Sequence, residues 1–335
     1  MKISIVGSGS FGTALAIMLA DMGHEVCLWS FSRDECADLI KHKENRAFLP
    51  KFSIPSNVKH TTHIRECANS DIVVCALPSF AVRNVLNRLE PYVNSGQVLL
   101  NVSKGLETDT LLTLSTVISD VLPCCDVAVM SGPSHAEEVA AKLPTTNVVA
   151  AKSLKTAHFI QDAFMNPYFR VYTHDDMLGV ELGGAIKNVI ALCAGISDGL
   201  GFGDNTKAAL MTRGMYEITK LGTAMGARAK TFSGLTGIGD LIVTCTSRHS
   251  RNRRAGILIG QGKTTNQVQE EIKMVIEGIN TCRATKHLSD KMNVEMPITQ
   301  EAYAVLFENK PAREATISLM QRDKKHESEE GFLGI

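Results

Sequence analysis

The chain opens with a short, apolar, β-rich run from Met1 to Val6 that breaks into Gly7-Ser8-Gly9-Ser10-Phe11-Gly12 and then a helical stretch, Thr13 to Met22. Few openings restrict a fold so strongly. In a strand–turn–helix unit the first glycine permits the tight turn, the second lets backbone approach a pyrophosphate, and the third lets helix pack on strand. Amides at the helix N-terminus then face the anion. Gly23 closes the helix and Glu25 to Trp29 reads as the next strand, completing a βαβ unit. The pattern predicts a dinucleotide cradle at Gly7, Gly9 and Gly12; read alone, it is also compatible with a plain glycine-rich turn.

Further apolar strands are expected at Asp71–Ala76, Val98–Val102, Val127–Met130, Asn147–Ala150 and Phe169–Tyr172, with helices such as Phe80–Leu89 and Leu111–Val121 between them. Such alternation indicates a mostly parallel sheet covered by helices on both faces. After Asp175-Asp176 the pattern changes to long helical segments joined by glycine-rich turns: Met177–Ser197, Thr206–Gly222, Asn252–Gly260, Thr265–Ile276, Asn280–Lys291 and Pro297–Leu306. The expected organisation is an α/β Rossmann-type domain over residues 1–176, an all-helical substrate and catalytic domain over 177–320, and a polar, frayed tail over 321–335.

Composition narrows the function. With 35 Lys plus Arg against 35 Asp plus Glu there is no global field to attract nucleic acid or an anionic membrane. The longest apolar run, Val189 to Ile196, is far short of the roughly 20 residues that span a bilayer, and the N-terminus lacks a secretory pattern. A cytoplasmic protein is expected. Nine cysteines without a C-x-x-C pair suggest neither a disulfide framework nor a zinc site, so they read as reduced, mostly buried thiols. His24, His60, His63 and His174 lack ligand spacing, and no metal site emerges.

Several segments carry candidate chemistry. Lys187 lies in the otherwise apolar Gly183-Gly184-Ala185-Ile186-Lys187-Asn188, with Gly183, Gly184, Ala191 and Ala194 at helical spacing. Small neighbours leave room for a ligand, and a desolvated ammonium of lowered pKa suits proton transfer to a carbonyl oxygen; the alternative is tight helix packing around a snorkelling lysine. Lys104 follows a strand directly, as does Ser131-Gly132-Pro133-Ser134-His135, and the carboxyl ends of strands are where doubly wound folds bind ligands. Asp240 ends the flexible Gly234-Leu235-Thr236-Gly237-Ile238-Gly239. Arg248, Arg251, Arg253 and Arg254 cluster beside Ser250 and Asn252; a helix starting there would make a phosphate site for a small ligand. No acid follows the second strand before Asp34, which favours a phosphorylated cofactor, with Arg33 as either its partner or a solvated loop residue.

Taken together, Gly-Ser-Gly-Ser-Phe-Gly at 7–12, Ser-Lys-Gly-Leu at 103–106, Ser-Gly-Pro-Ser-His-Ala-Glu-Glu at 131–138, Gly-Gly-Ala-Ile-Lys-Asn at 183–188, Gly-Leu-Thr-Gly-Ile-Gly-Asp-Leu at 234–241 and Ser-Arg-Asn-Arg-Arg at 250–254 resemble one family over nearly the whole chain. That family is the bacterial NAD(P)-dependent glycerol-3-phosphate dehydrogenases. The resemblance implies reversible reduction of dihydroxyacetone phosphate to sn-glycerol 3-phosphate, with NADPH preferred or NADH, in a homodimer feeding glycerophospholipid synthesis. It implies Lys187 as proton donor and acceptor, with Lys104 and Asp240 orienting the substrate. Gly132, Ser134, Ser250, Arg251 and Asn252 would hold substrate; Ser10, Phe11, Ala136, Arg251, Val275 and Glu277 would contact the cofactor, joined by Lys104, Phe31 and Arg33. Phe31 departs from the cation that relatives often carry there. Rival readings are another two-domain dehydrogenase, of the β-hydroxyacid or ketopantoate reductase type, and a dinucleotide-binding sensor.

Overall fold

A computed structural model describes residues 1–327; residues 328–335 of the expected tail lie outside the described residues. Among the described residues ten strands form, β1 Lys2–Val6, β2 Glu25–Trp29, β3 Glu44–Asn45, β4 Leu49–Ser53, β5 Val58–Thr61, β6 Ile72–Cys75, β7 Val98–Asn101, β8 Asp126–Ser131, β9 Thr145–Ala151 and β10 Phe169–His174. Eight of them make one sheet in the order β10-β9-β8-β7-β6-β1-β2-β5. Pairings are parallel except β8 with β9, so β9 and β10 run against the rest. The order reverses at β1, which lies between β2 and β6. A crevice therefore opens beyond the carboxyl ends of β1 and β6, where such folds bind ligands.

Period-two alternation sends successive side chains of each strand to opposite faces, and both faces are covered. Ile3, Ile5, Ile72, Val74 and Leu100 join one core with Leu15 and Leu19 of the Ser10–Asp21 helix. Val6, Val73 and Leu99 join the other, with Leu86 and Ile118. Strands buried on both sides need continuous apolar runs, which is why these were legible.

The elements missing from the sequence expectation are the polar ones. The β3–β4 hairpin and the edge strand β5 carry exposed positions such as Lys51 and Lys59, and the Arg33–His42 helix is mostly exposed. Two helix boundaries also need correction. Leu111 has a left-handed φ of 62° and a Leu106–Thr113 bridge closes the loop, so that helix begins at Leu114. Left-handed Lys273 ends the Thr265 helix at Ile272, not Ile276.

From Met177 onward the described chain is helical, organised around Met177–Gly199, with Asp204–Ala224, Asp240–Thr246, Arg251–Gly260 and Glu277–Met292 packed on it. The Arg251–Gly260 helix comes close because the facing residues are glycines: a Cβ on Gly256 would fall 2.0 Å from the Leu192 carbonyl oxygen, and one on Gly195 2.0 Å from that of Arg253. Met177–Gly199 is long and apolar enough to cross a membrane by length and composition, which the contiguous-run criterion missed because Glu181 and Lys187 interrupt it. Here that apolar surface is core. The expected frayed tail is tethered up to residue 327: Arg322 and Lys325 pair with Glu295, and Arg213 Nη1 donates to the Glu327 carbonyl at 2.8 Å.

Candidate active site

The glycine turn is built as its spacing requires. Gly7 has φ of +120°, which an L side chain rarely adopts, and a Cβ on Gly12 would meet the Gly7 carbonyl oxygen at 2.0 Å. Gly9, by contrast, has nothing within 4 Å of a notional Cβ: its open side faces the crevice. Ser8 is fixed from behind, its carbonyl accepting from Asn45 Nδ2 at 2.7 Å. A cradle with free space above Gly9 and the N-terminus of the Ser10–Asp21 helix beneath fits a dinucleotide pyrophosphate.

The crevice is a cleft of about 410 Å³ between the sheet's carboxyl edge and the helical body. Gly7, Gly9, Ser10, Phe11, Gly12 and Phe31 line one wall, and Lys104, Ser134 and Ala136 continue it. The helical body contributes Lys187, Ser250, Arg251, Asn252, Val275 and Glu277. Arg33 does not join them; it is exposed and outside the lining. Gly132 and Asp240 are not among the lining residues; both accept from the Nζ of Lys104, which is one. A second, mostly apolar cavity of about 270 Å³ lies within the helical body and holds none of the candidate residues.

Behind the cleft three charged side chains converge. Lys187 Nζ donates to Asp240 Oδ1 at 2.5 Å and to Thr244 Oγ1 at 2.6 Å, while Lys104 Nζ donates to Asp240 Oδ2 at 2.7 Å and to the Gly132 carbonyl at 2.9 Å. Asp240 is 1% exposed and Lys187 4%. Burial alone would lift the Asp240 carboxyl, but the flanking ammonium groups of Lys104 and Lys187 outweigh it and hold it below the usual carboxylate range. Desolvation brings the Lys187 ammonium down to about 8, opposed by Asp240 and aided by Lys104. His135, on the same wall, is also pushed down, by its own burial and then by Lys187. Lys187 is thus the cation best matched to exchanging a proton near neutral pH.

The local chain explains this placement. A π-helical turn at Leu235–Gly239 leads into Asp240–Thr246, and such turns recur where a helix must redirect a functional group. Close approach again depends on glycine: a Cβ on Gly184 would sit 2.2 Å from Ser131 Oγ, and one on Gly183 2.8 Å from the Thr236 carbonyl oxygen. This corrects the expectation that small residues around Lys187 leave room for a ligand; they bring β8 and the π turn against the lysine helix instead.

The arginine cluster also resolves differently from its sequence reading. A helix does start there, Arg251–Gly260, with Ser250 Oγ capping the Arg253 amide at 3.2 Å. Yet Arg253 pairs with Asp198 at 2.7 Å, and Arg248 and Arg254 are exposed, so Arg251 alone of the four lines the cleft. Its guanidinium reaches the Val275 carbonyl at 3.3 Å and Ser10 Oγ at 3.5 Å, joining the helical body to the glycine-loop helix. Asn252 spends its side chain on Asn188 Oδ1 and the Gly278 amide, both at 2.9 Å. Glu277 accepts from the Ser79 amide at 2.9 Å and its hydroxyl at 2.7 Å, and desolvation raises its pKa. Thr244 and Asn188 escaped the sequence reading; Thr244 stands four residues after Asp240 on one helix face, a spacing that could have revealed it.

The fold is that of the two-domain nicotinamide-dependent dehydrogenases. Models of the NAD-dependent glycerol-3-phosphate dehydrogenase family match it twice, the N-terminal model over residues 2–157 and the C-terminal model over 176–317. The chain belongs to this family. It is 54% identical over 327 residues to the glycerol-3-phosphate dehydrogenase (NAD(P)+) of Agathobacter rectalis, covering 97% of each chain. Against the Bacillus subtilis enzyme of the same name it is 49% identical, with 98% of this chain and 96% of that one covered. The crystal structure of Coxiella burnetii glycerol-3-phosphate dehydrogenase superposes with a TM-score of 0.93 at 36% identity, covering 96% and 99% of the two chains.

Proposed function

We propose that this protein interconverts dihydroxyacetone phosphate and sn-glycerol 3-phosphate with NADPH or NADH, as a cytoplasmic homodimer whose product serves as a glycerophospholipid backbone. The observation that carries the reading is the pairing of Lys187 and Lys104 on Asp240 at the back of a cleft whose other wall is the glycine cradle. Curated relatives of the same length bear the name of that activity.

In this reading residues 1–176 hold the dinucleotide, residues 177–320 hold substrate and the proton-transfer groups, and residues 321–335 are a tail. The nicotinamide supplies or accepts the hydride. Gly7, Gly9 and Gly12 open the backbone to the pyrophosphate, Phe31 packs at the adenosine end, and Ser10, Phe11, Ala136, Val275 and Glu277 complete the walls. Arg251 neutralises the substrate phosphate, with Gly132, Ser134, Ser250 and Asn252 shaping its seat. As the substrate's C2 oxygen gains charge, Lys187 Nζ delivers a proton to it, and in oxidation the neutral amine takes that proton back. Lys104 stabilises the same oxygen electrostatically. Asp240 is a positioning residue: its carboxylate fixes both ammonium groups and does not touch the reacting atoms.

The test is nicotinamide absorbance when purified protein meets dihydroxyacetone phosphate with NADPH or NADH. Oxidation of either, dependent on the phosphorylated ketone, is expected. Binding of dinucleotide without oxidation, in a folded sample, would overturn the assignment in favour of another carbonyl substrate or a sensor.

A further inference from the structure

The segment after β2 carries a feature that the sequence reading did not assign. Ser32 Oγ caps the Arg33–His42 helix, accepting from the amides of Asp34 at 3.2 Å and Glu35 at 3.5 Å. Those two N–H groups are therefore occupied by the cap and are not open to a phosphate. One residue further, Glu35 turns back over the glycine loop, where its Oε1 accepts from Ser8 Oγ at 2.5 Å. Its Oε2 has no partner among the described residues. Glu35 lines the cleft together with Gly7, Ser8 and Phe31. Burial raises its carboxyl, opposed by the Ser8 hydroxyl.

In doubly wound folds the adenosine ribose lies between the glycine turn and the carboxyl end of the second strand, and an acid there accepts from the ribose hydroxyl. Here no acid ends the strand itself; a carboxylate reaches the same corner from the first turn of the following helix. A 2′-phosphate placed there would meet a half-buried carboxylate, while the nearest arginine in sequence, Arg33, is exposed and off the cleft wall. The Ser8 backbone is buried and fixed, the residue being 3% exposed and its carbonyl accepting from Asn45 Nδ2.

We propose that Glu35, braced by Ser8, reads the 2′ position of the cofactor's ribose, accepting from the hydroxyl of NADH and repelling the 2′-phosphate of NADPH. This rests on the dehydrogenase reading above and deepens it. The chain's single tryptophan, Trp29, lines the cleft, so quenching of its fluorescence reports equilibrium binding without turnover.

Titration of the purified protein with NADH and with NADPH should give a Kd for NADH at least about tenfold lower, the scale of a like-charge mismatch. Glu35→Gln should bring the two within about threefold, chiefly by tightening NADPH, and Glu35→Ser should do the same if the amide distorts the loop. Equal or tighter NADPH binding by the wild type, an unmoved ratio in both variants, or selective loss of NADPH affinity in Arg33→Ala would overturn the proposal. If the folded wild type binds neither dinucleotide, the dehydrogenase reading falls and this inference with it; if one binds without turnover, the proposed reaction fails while the Kd ratio still decides this inference.

Discussion

Lys104 and Lys187 meet at a single carboxylate, one ammonium on each oxygen of Asp240, at 2.7 and 2.5 Å. Two cations this close are tolerable because the anion between them is buried and ionised. Desolvation, aided by the second ammonium, is what keeps Lys187 ready to give up a proton.

Lys187→Ala should lower kcat about 10²- to 10⁴-fold, the usual contribution of a positioned acid or base, and leave dinucleotide affinity nearly intact. Steady-state kinetics beside a binding titration separates the two. Loss of affinity with normal turnover would contradict the assignment.

The direction of the pH dependence follows from a lysine held at about 8. Ketone reduction needs the ammonium, so its rate should fall as pH rises through that value; alcohol oxidation needs the amine and should rise. Asp240→Asn removes the influence that raises the Lys187 pKa, so the reduction limb should move to lower pH. An unmoved profile would show that Asp240 does not set the proton affinity of Lys187.

Gly9 and Gly12 should separate binding from folding. Gly12→Ala places a methyl 2.0 Å from the Gly7 carbonyl oxygen and should lower stability by about 1–3 kcal/mol, read as a drop in Tm. Gly9→Ala meets nothing in the protein, so Tm should hold while dinucleotide affinity falls. Equal Tm losses would argue against an open cradle.

Arg251→Ala should raise KM for the phosphorylated substrate more than it lowers kcat, since it removes a charge from the cleft and leaves Lys187 in place. An unchanged KM would place the substrate phosphate elsewhere.

Glu217, 4% exposed, accepts from the amides of Ile298 at 2.6 Å and Thr299 at 3.2 Å, and burial lifts its carboxyl to about 7. The folded state thus holds this proton more tightly than the unfolded chain does. Its contribution to stability is complete below the ordinary glutamate value, 4.5, and is lost as pH rises through about 7. Thermal melts should show wild type losing stability relative to Glu217→Gln across that window. A constant difference would contradict the raised pKa.

Much of this architecture can be read from the chain because its central strands are covered on both faces and its glycines stand where backbone meets backbone. The change from strand–helix alternation to helices near Asp176 is visible for the same reason: periodicity records burial. The edge strand β5, Val-Lys-His-Thr, pairs among the described residues with β2 alone and needs no apolar run, so it leaves little trace. Lys187 stood out as a charge in an apolar helix, but its meeting with Lys104 and Asp240 joins three distant segments and could not be derived from spacing. Arg253 shows the converse: it looks like part of an anion site, and Asp198, invisible as a partner in sequence, claims it.

The helix that carries Lys187 is covered largely by segments synthesised after it, up to the one ending at Phe307. The sheet can close while that helix still waits for its neighbours. The desolvation that tunes the lysine is therefore among the last properties the nascent chain acquires: a half-made molecule can own a cofactor cradle while its amine is still an ordinary, water-exposed base.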